Sequence, residues 1–106
     1  MADGVGKELA ILFADVVGST QLYETLGDEA ARETVQQCLK VMRDATEQFG
    51  GAVIKTMGDE IMATFPSADD AMSAGSQMQK RITSGSRLAD GSHVFIRIGC
   101  HYGPVV

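Results

Sequence analysis

The sequence predicts an α+β sandwich of the split-βαβ, ferredoxin-like type, with elements in the order βααββαβ. Three stretches carry that prediction. Residues 9–14 form a short, wholly apolar run bounded by turn signals, as a buried strand requires. Ala31, Val35, Cys38, Met42, Ala45 and Phe49 step by fours and threes, the spacing of one helical face. Two short strand-like runs, 52–57, which is rich in β-branched residues, and 60–65, flank Gly58-Asp59, a hairpin signal. A hairpin set between helical crossovers is the distinguishing feature of this sandwich.

Taken in order, residues 8–14 read as the first strand. Ser19 or Thr20 then caps a short helix that runs to about Leu26, where Gly27 stops it. Asp28 or Glu29 opens the long helix, since acids favour the positive end of the helix dipole. Gly50-Gly51 ends it, and Pro66 closes the second strand of the hairpin. Ser67 to Asp70 looks like another helix start, followed by an apolar stripe of Ala71, Met72, Gly75, Met78 and Ile82. Residues 84–93 are polar and glycine-containing, so a mobile loop is expected. A last strand, 94–102, is ended by Gly103-Pro104.

At 106 residues the chain is sized for one domain and one core, and 1–106 is read as such. A net charge of −5 argues against non-specific binding to nucleic acid or to an anionic membrane. An anionic ligand remains compatible if metal ions neutralise it locally. The polar stretch 1–7 lacks the apolar core of a signal peptide, and no run approaches the roughly 20 apolar residues of a membrane span. Cys38 and Cys100 lie far apart on apolar-looking faces, which favours buried thiols in a reducing cytoplasm over a disulfide or a zinc site.

The organising stretch is the apolar strand together with Asp15 and the turn Val17-Gly18-Ser19-Thr20. Asp15 ends the first strand and Asp59 sits in the hairpin turn. The proposed topology brings these two carboxylates to one end of the sheet, where they repel unless a cation lies between them. A hard ion such as Mg²⁺ or Mn²⁺ suits that oxygen set. Asp is also common in ordinary turns. Val17, Gly18, Ser19 and Thr20 offer backbone amides that suit phosphate, although a Gly-Ser-Thr helix start is more often only a cap. The lysine of a P-loop is absent. Lys55 interrupts an otherwise apolar strand. It is either a solvated charge or a donor to a nucleobase. Arg97 and His101 alternate on one face of the last strand, where structural roles are the ordinary reading. No Ser-His-Asp or Cys-His set exists for covalent catalysis.

Three segments join these signals. They are Phe13-Ala14-Asp15-Val16-Val17-Gly18-Ser19-Thr20, the run from Ile54 to Phe65 around Lys55 and Gly58-Asp59, and Arg97 through Pro104. Together, in this order and at compatible spacing, they resemble the class III adenylate/guanylate cyclase catalytic domain over nearly the whole chain. The resemblance implies conversion of a nucleoside triphosphate into a 3′,5′-cyclic nucleotide and pyrophosphate with two divalent cations, Mg²⁺ or Mn²⁺. It implies that Asp15 and Asp59 bind the metals, joined by the carbonyl of Val16. The turn from Val17 to Thr20 would hold the β- and γ-phosphates. Lys55 matches the base-reading position in its adenine-selective form, since guanylate cyclases generally carry glutamate there. ATP is thus expected over GTP. A homodimer is implied too, with metal ligands from one subunit and base recognition from the other.

Family domains continue into a further strand and a Val-Asn-x-Ala-Ala-Arg-like segment that supplies a second base contact and transition-state donors. This sequence stops at Val106, so the 106-residue chain alone is expected to lack turnover. Two other readings stand beside the enzyme. One is a non-catalytic cyclase-like module that binds nucleotide or dimerises. The other is a diguanylate cyclase or polymerase-palm-like domain, whose Gly-Gly-Asp-Glu-Phe signature is only brushed by residues 57–61.

Overall fold

A computed structural model of the chain describes residues 8–85 and 94–104. It contains β1 (Glu8–Val17), α1 (Ser19–Leu26), α2 (Asp28–Gln48), β2 (Ala52–Met57), β3 (Glu60–Phe65), α3 (Ala68–Gly85) and β4 (Phe95–Pro104). The element order is the expected one. All pairings are antiparallel and the sheet order is β2-β3-β1-β4, so β1 is central and lies beside the hairpin, as the split-βαβ topology demands.

Strand parity divides β1 cleanly. Ala10, Leu12, Ala14 and Val16 are buried, while Phe13 and Val17 on the opposite face are exposed. The buried set meets Ile61, Ala63 and Phe65 of β3, Ala31, Val35, Leu39, Met42 and Ala45 of α2, and Ala71, Ala74, Met78 and Ile82 of α3. Helices therefore cover one sheet face, and burial of each large aliphatic or aromatic side chain there contributes about 1.5–3 kcal/mol. The one buried polar side chain among the described residues, Thr46, donates its hydroxyl to the Met42 carbonyl at 2.8 Å.

Several details depart from expectation. β1 does not end before Asp15. Residues 15–17 stay paired to β4 on one side, and Asp15 is also opposite Glu60 of β3, so the acid lies within the sheet. Neither Ser19 nor Thr20 caps α1, because Gly18 takes the capping position in the left-handed region, at φ 72°, and makes no side-chain bond. Ser67 behaves as foreseen, its hydroxyl accepting the Asp70 amide at 3.1 Å. Met72 is 68% exposed, for Ala74 takes its place in the stripe that faces the sheet. β4 runs on through Gly103-Pro104, where Pro104 pairs with Glu8 on an edge strand that tolerates a missing amide. Helix α3 includes residues 84 and 85. The rest of the expected mobile loop, 86–93, lies outside the described residues.

Cys38 is buried, as expected, but Cys100 is exposed. Its position opposite Leu12 has helix-side parity, yet the strand there is not covered. Partial desolvation still pushes the Cys100 thiol above its ordinary value. A raised value means less thiolate at neutral pH. Alkylation of the native protein is therefore expected to modify Cys100 and spare Cys38, slowly at neutral pH and faster as pH rises; mass spectrometry at several pH values checks this.

Gly51 is held for a different reason. A Cβ there would sit 2.5 Å from Cε2 of Phe65, a fully buried ring. Gly51→Ala is expected to destabilise by about 1–3 kcal/mol, read as a lowered urea midpoint at unchanged slope.

Candidate active site on the open sheet face

The face of the sheet opposite the helices carries the charged candidate residues of the strands. Register places its side chains in rows running across the strands. Met57, Glu60, Asp15 and Arg97 make one row, and Lys55, Met62, Phe13 and Gly99 make the next. Thr64, Ile11 and His101 form the third. Asp15 thus stands between a carboxylate on β3 and a guanidinium on β4.

The Asp15 carboxylate is only 27% exposed, and its two oxygens differ. Oδ2 accepts from the Arg97 guanidinium at 3.4 Å. Oδ1 is buried with no hydrogen-bond partner. An orphaned buried carboxylate oxygen is costly, and either a donor or a cation relieves it. Phe13, Asp15, Glu60, Arg97, Ile98 and Gly99 line a cleft of about 280 Å³ around it.

Asp59 is brought to the same end of the sheet. Its carbonyl accepts the Val16 amide at 3.1 Å, tying the hairpin turn to β1. Gly58, at φ 58°, supplies the left-handed residue that the turn needs. The Asp59 side chain is half-buried and opens onto a neighbouring cavity of about 400 Å³, shared with Ser19, Tyr23, Arg32, Gln36 and Gly58. Val16 is buried, so only its backbone is available to a ligand.

Gly18 closes a tight strand-to-helix turn, and with no side-chain cap the first amides of α1 have no hydroxyl or carboxylate upon them. Val17 and Thr20 are exposed there and Ser19 is half-buried. Lys55 is exposed, on the same face as Asp15 but two strands away, on the order of 10 Å at the usual spacing of about 4.8 Å per strand. His101 lies two rows from Arg97.

Among the described residues no three His, Cys, Asp or Glu side chains gather as a complete metal cage. The donors that are present, an orphaned carboxylate oxygen, the Asp59 carboxylate on the adjoining hairpin turn and backbone carbonyls, are all hard oxygens that fit Mg²⁺ or Mn²⁺ completed by substrate oxygens or water. Sequence reasoning missed the role of Glu60 as the neighbour of Asp15 and the pairing of Arg97 with it. The one available signal was parity: Glu60 and Arg97 occupy outward positions in strands that flank β1.

Among the described residues no helix is long and apolar enough to cross a membrane. The sequence model of the adenylate and guanylate cyclase catalytic domain matches residues 4–106. An adenylate cyclase of Podospora anserina is 41% identical over 64 residues, which is 60% of this chain and 3% of that protein. An adenylyl cyclase of P. aeruginosa superimposes with a TM-score of 0.76 at 27% identity, over 92% of this chain and 57% of its own. The guanylate cyclase domain of RhGC from Catenaria anguillulae, solved in complex with GTP, gives 0.79 at 19% identity, over 94% and 58%. The chain spans a small part of its curated relative and somewhat over half of each solved domain. By its sequence and by its fold, the chain belongs to the adenylate/guanylate cyclase catalytic domain family.

Proposed function

We propose that the chain provides the metal-binding and phosphate-binding wall of a nucleotidyl cyclase that converts ATP, in preference to GTP, into a 3′,5′-cyclic nucleotide and pyrophosphate. The observation that carries this reading is Asp15, whose Oδ1 is buried without a partner beside a turn that holds Asp59. In this reading Asp15, Asp59 and the Val16 carbonyl hold two divalent cations. Such cations, when bound, neutralise triphosphate charge and acidify the ribose 3′-hydroxyl.

The chain's own residues do the positioning. Amides from Val17 to Thr20 donate to the β- and γ-phosphates, with the positive end of α1 behind them. Lys55 Nζ donates to an acceptor on the base, which suits adenine N1. The ribose 3′-oxygen then replaces pyrophosphate on the α-phosphorus, and its proton leaves to solvent. Phe13, Val17, Met57 and Phe95 are 43–61% exposed on the helix-free face. So much apolar surface supports a homodimer through this face, with each site completed by the other subunit.

The test is cyclic nucleotide formation by the chain in its full-length native context, with Mn²⁺ or Mg²⁺. Asp15→Ala and Asp59→Ala are expected to lower turnover by about 10²-fold or more while the far-UV circular dichroism is kept. Nucleotide binding without turnover in the unsubstituted protein would favour a cyclase-like binding module instead. Lys55→Glu is expected to shift the ratio of cyclic AMP to cyclic GMP toward cyclic GMP. Dilution should lower specific activity as the dimer dissociates, whereas activity linear in protein at all concentrations refutes the shared site.

A further inference from the structure

We infer that Arg97 is a latch on the cation site: it holds one oxygen of Asp15 before metal binds, and a cation entering the nucleotide-free protein must overcome its opposing charge. The inference rests on the reading of Asp15 as a cation ligand. It adds a residue that sets how readily the site loads.

The geometry is specific. Asp15 and Arg97 are cross-strand partners on β1 and β4, so the sheet itself holds the guanidinium beside the carboxylate. Arg97 reaches Oδ2 at 3.4 Å and leaves Oδ1 alone, a single long contact where a bidentate fork would have engaged both oxygens. Its side chain is 76% exposed, whereas that of Asp15 is 27% exposed. The arginine is thus free to swing out into solvent, and the acid is not. On the other flank stands Glu60, a second carboxylate in the same cleft. With Arg97 in place, the three side chains sum to one negative charge. With Arg97 withdrawn, two neighbouring carboxylates remain, and their mutual repulsion favours a divalent cation.

The pair is also weak enough to yield. An ion pair with one partner so exposed is screened by water and salt, which suits a competitor that holds the carboxylate in place and then gives way. A strong, buried pair would block the site, and no pair at all would leave the half-buried Asp15 without a counter-charge.

The experiment is Mn²⁺ binding to the nucleotide-free protein, followed by electron paramagnetic resonance of unbound Mn²⁺ and by the Mn²⁺-induced rise in Tm. Arg97→Gln and Arg97→Ala are expected to bind Mn²⁺ more tightly than the unsubstituted protein, by about threefold. Arg97→Lys is expected to restore most of the difference. The gain should shrink as NaCl is raised, because the competitor in the unsubstituted protein is screened. In an Asp15→Asn background, substituting Arg97 is expected to change nothing. If the unsubstituted protein binds Mn²⁺ and Asp15→Asn weakens it, yet Arg97→Gln leaves affinity unchanged or lower, the latch is overturned and the cation site stands. If Asp15→Asn leaves Mn²⁺ binding untouched, or no form binds it, the cation-site reading falls and the latch with it.

Discussion

The antiparallel register of β1 between β3 and β4 is the constraint on which the rest of the structure depends. Side chains alternate faces along a strand, so a slip of one residue would turn Asp15 into the helix layer and Ala14 out of it. That slip would bury a carboxylate against Ile61 and Met78 and expose Leu12 along with Ala10, Ala14 and Val16. The core therefore specifies the register, and the register specifies the row of Glu60, Asp15 and Arg97. Site geometry is set by hydrophobic burial on the opposite face of the same strand.

Two glycine turns finish the arrangement at the end of the sheet. Gly18 lets β1 pass into α1 without an intervening loop, which leaves the first helical amides at the sheet end rather than beyond it. Gly58 lets the hairpin fold tightly enough for the Asp59 carbonyl to meet the Val16 amide. The bond is made by backbone atoms, so it places Asp59 independently of the identity of neighbouring side chains. The catalytic reading thus relies on a rigid scaffold at both acids, as pre-organised electrostatic sites generally do.

Much of the fold was legible in the chain because the signals were local. The stripe of Ala31, Val35, Cys38, Met42 and Ala45 is a helix of adequate length, and each of those residues is buried. Gly27 and Gly50 end their helices where the pattern stops. The readings that failed depended on which neighbour covers a residue. Met72 and Cys100 look apolar and internal, but each stands where no other element packs. Ser19 and Thr20 look like caps, but glycine's left-handed backbone had already closed the turn. Asp15 looks like a strand terminus because acids usually end apolar runs, whereas here β4 stays paired to β1 through Val17 while β3 begins opposite Asp15 at Glu60.

The sequence by itself determined the order of elements, the two-layer class and the family, since periodicity, turn residues and motif spacing are written along one dimension. It also named Asp15, Asp59 and Lys55. Only the tertiary structure decided that Asp15 lies inside the sheet with one oxygen orphaned and the other held by Arg97, and that Glu60 flanks it. Those facts come from pairing residues that are distant along the chain, and pairing is chosen by burial of the helix-facing side of every strand at once. Asp15 first reads as the acid at the end of an apolar run. In the folded protein it is a half-buried carboxylate, held in the middle of a charged row by the hydrophobic core behind it.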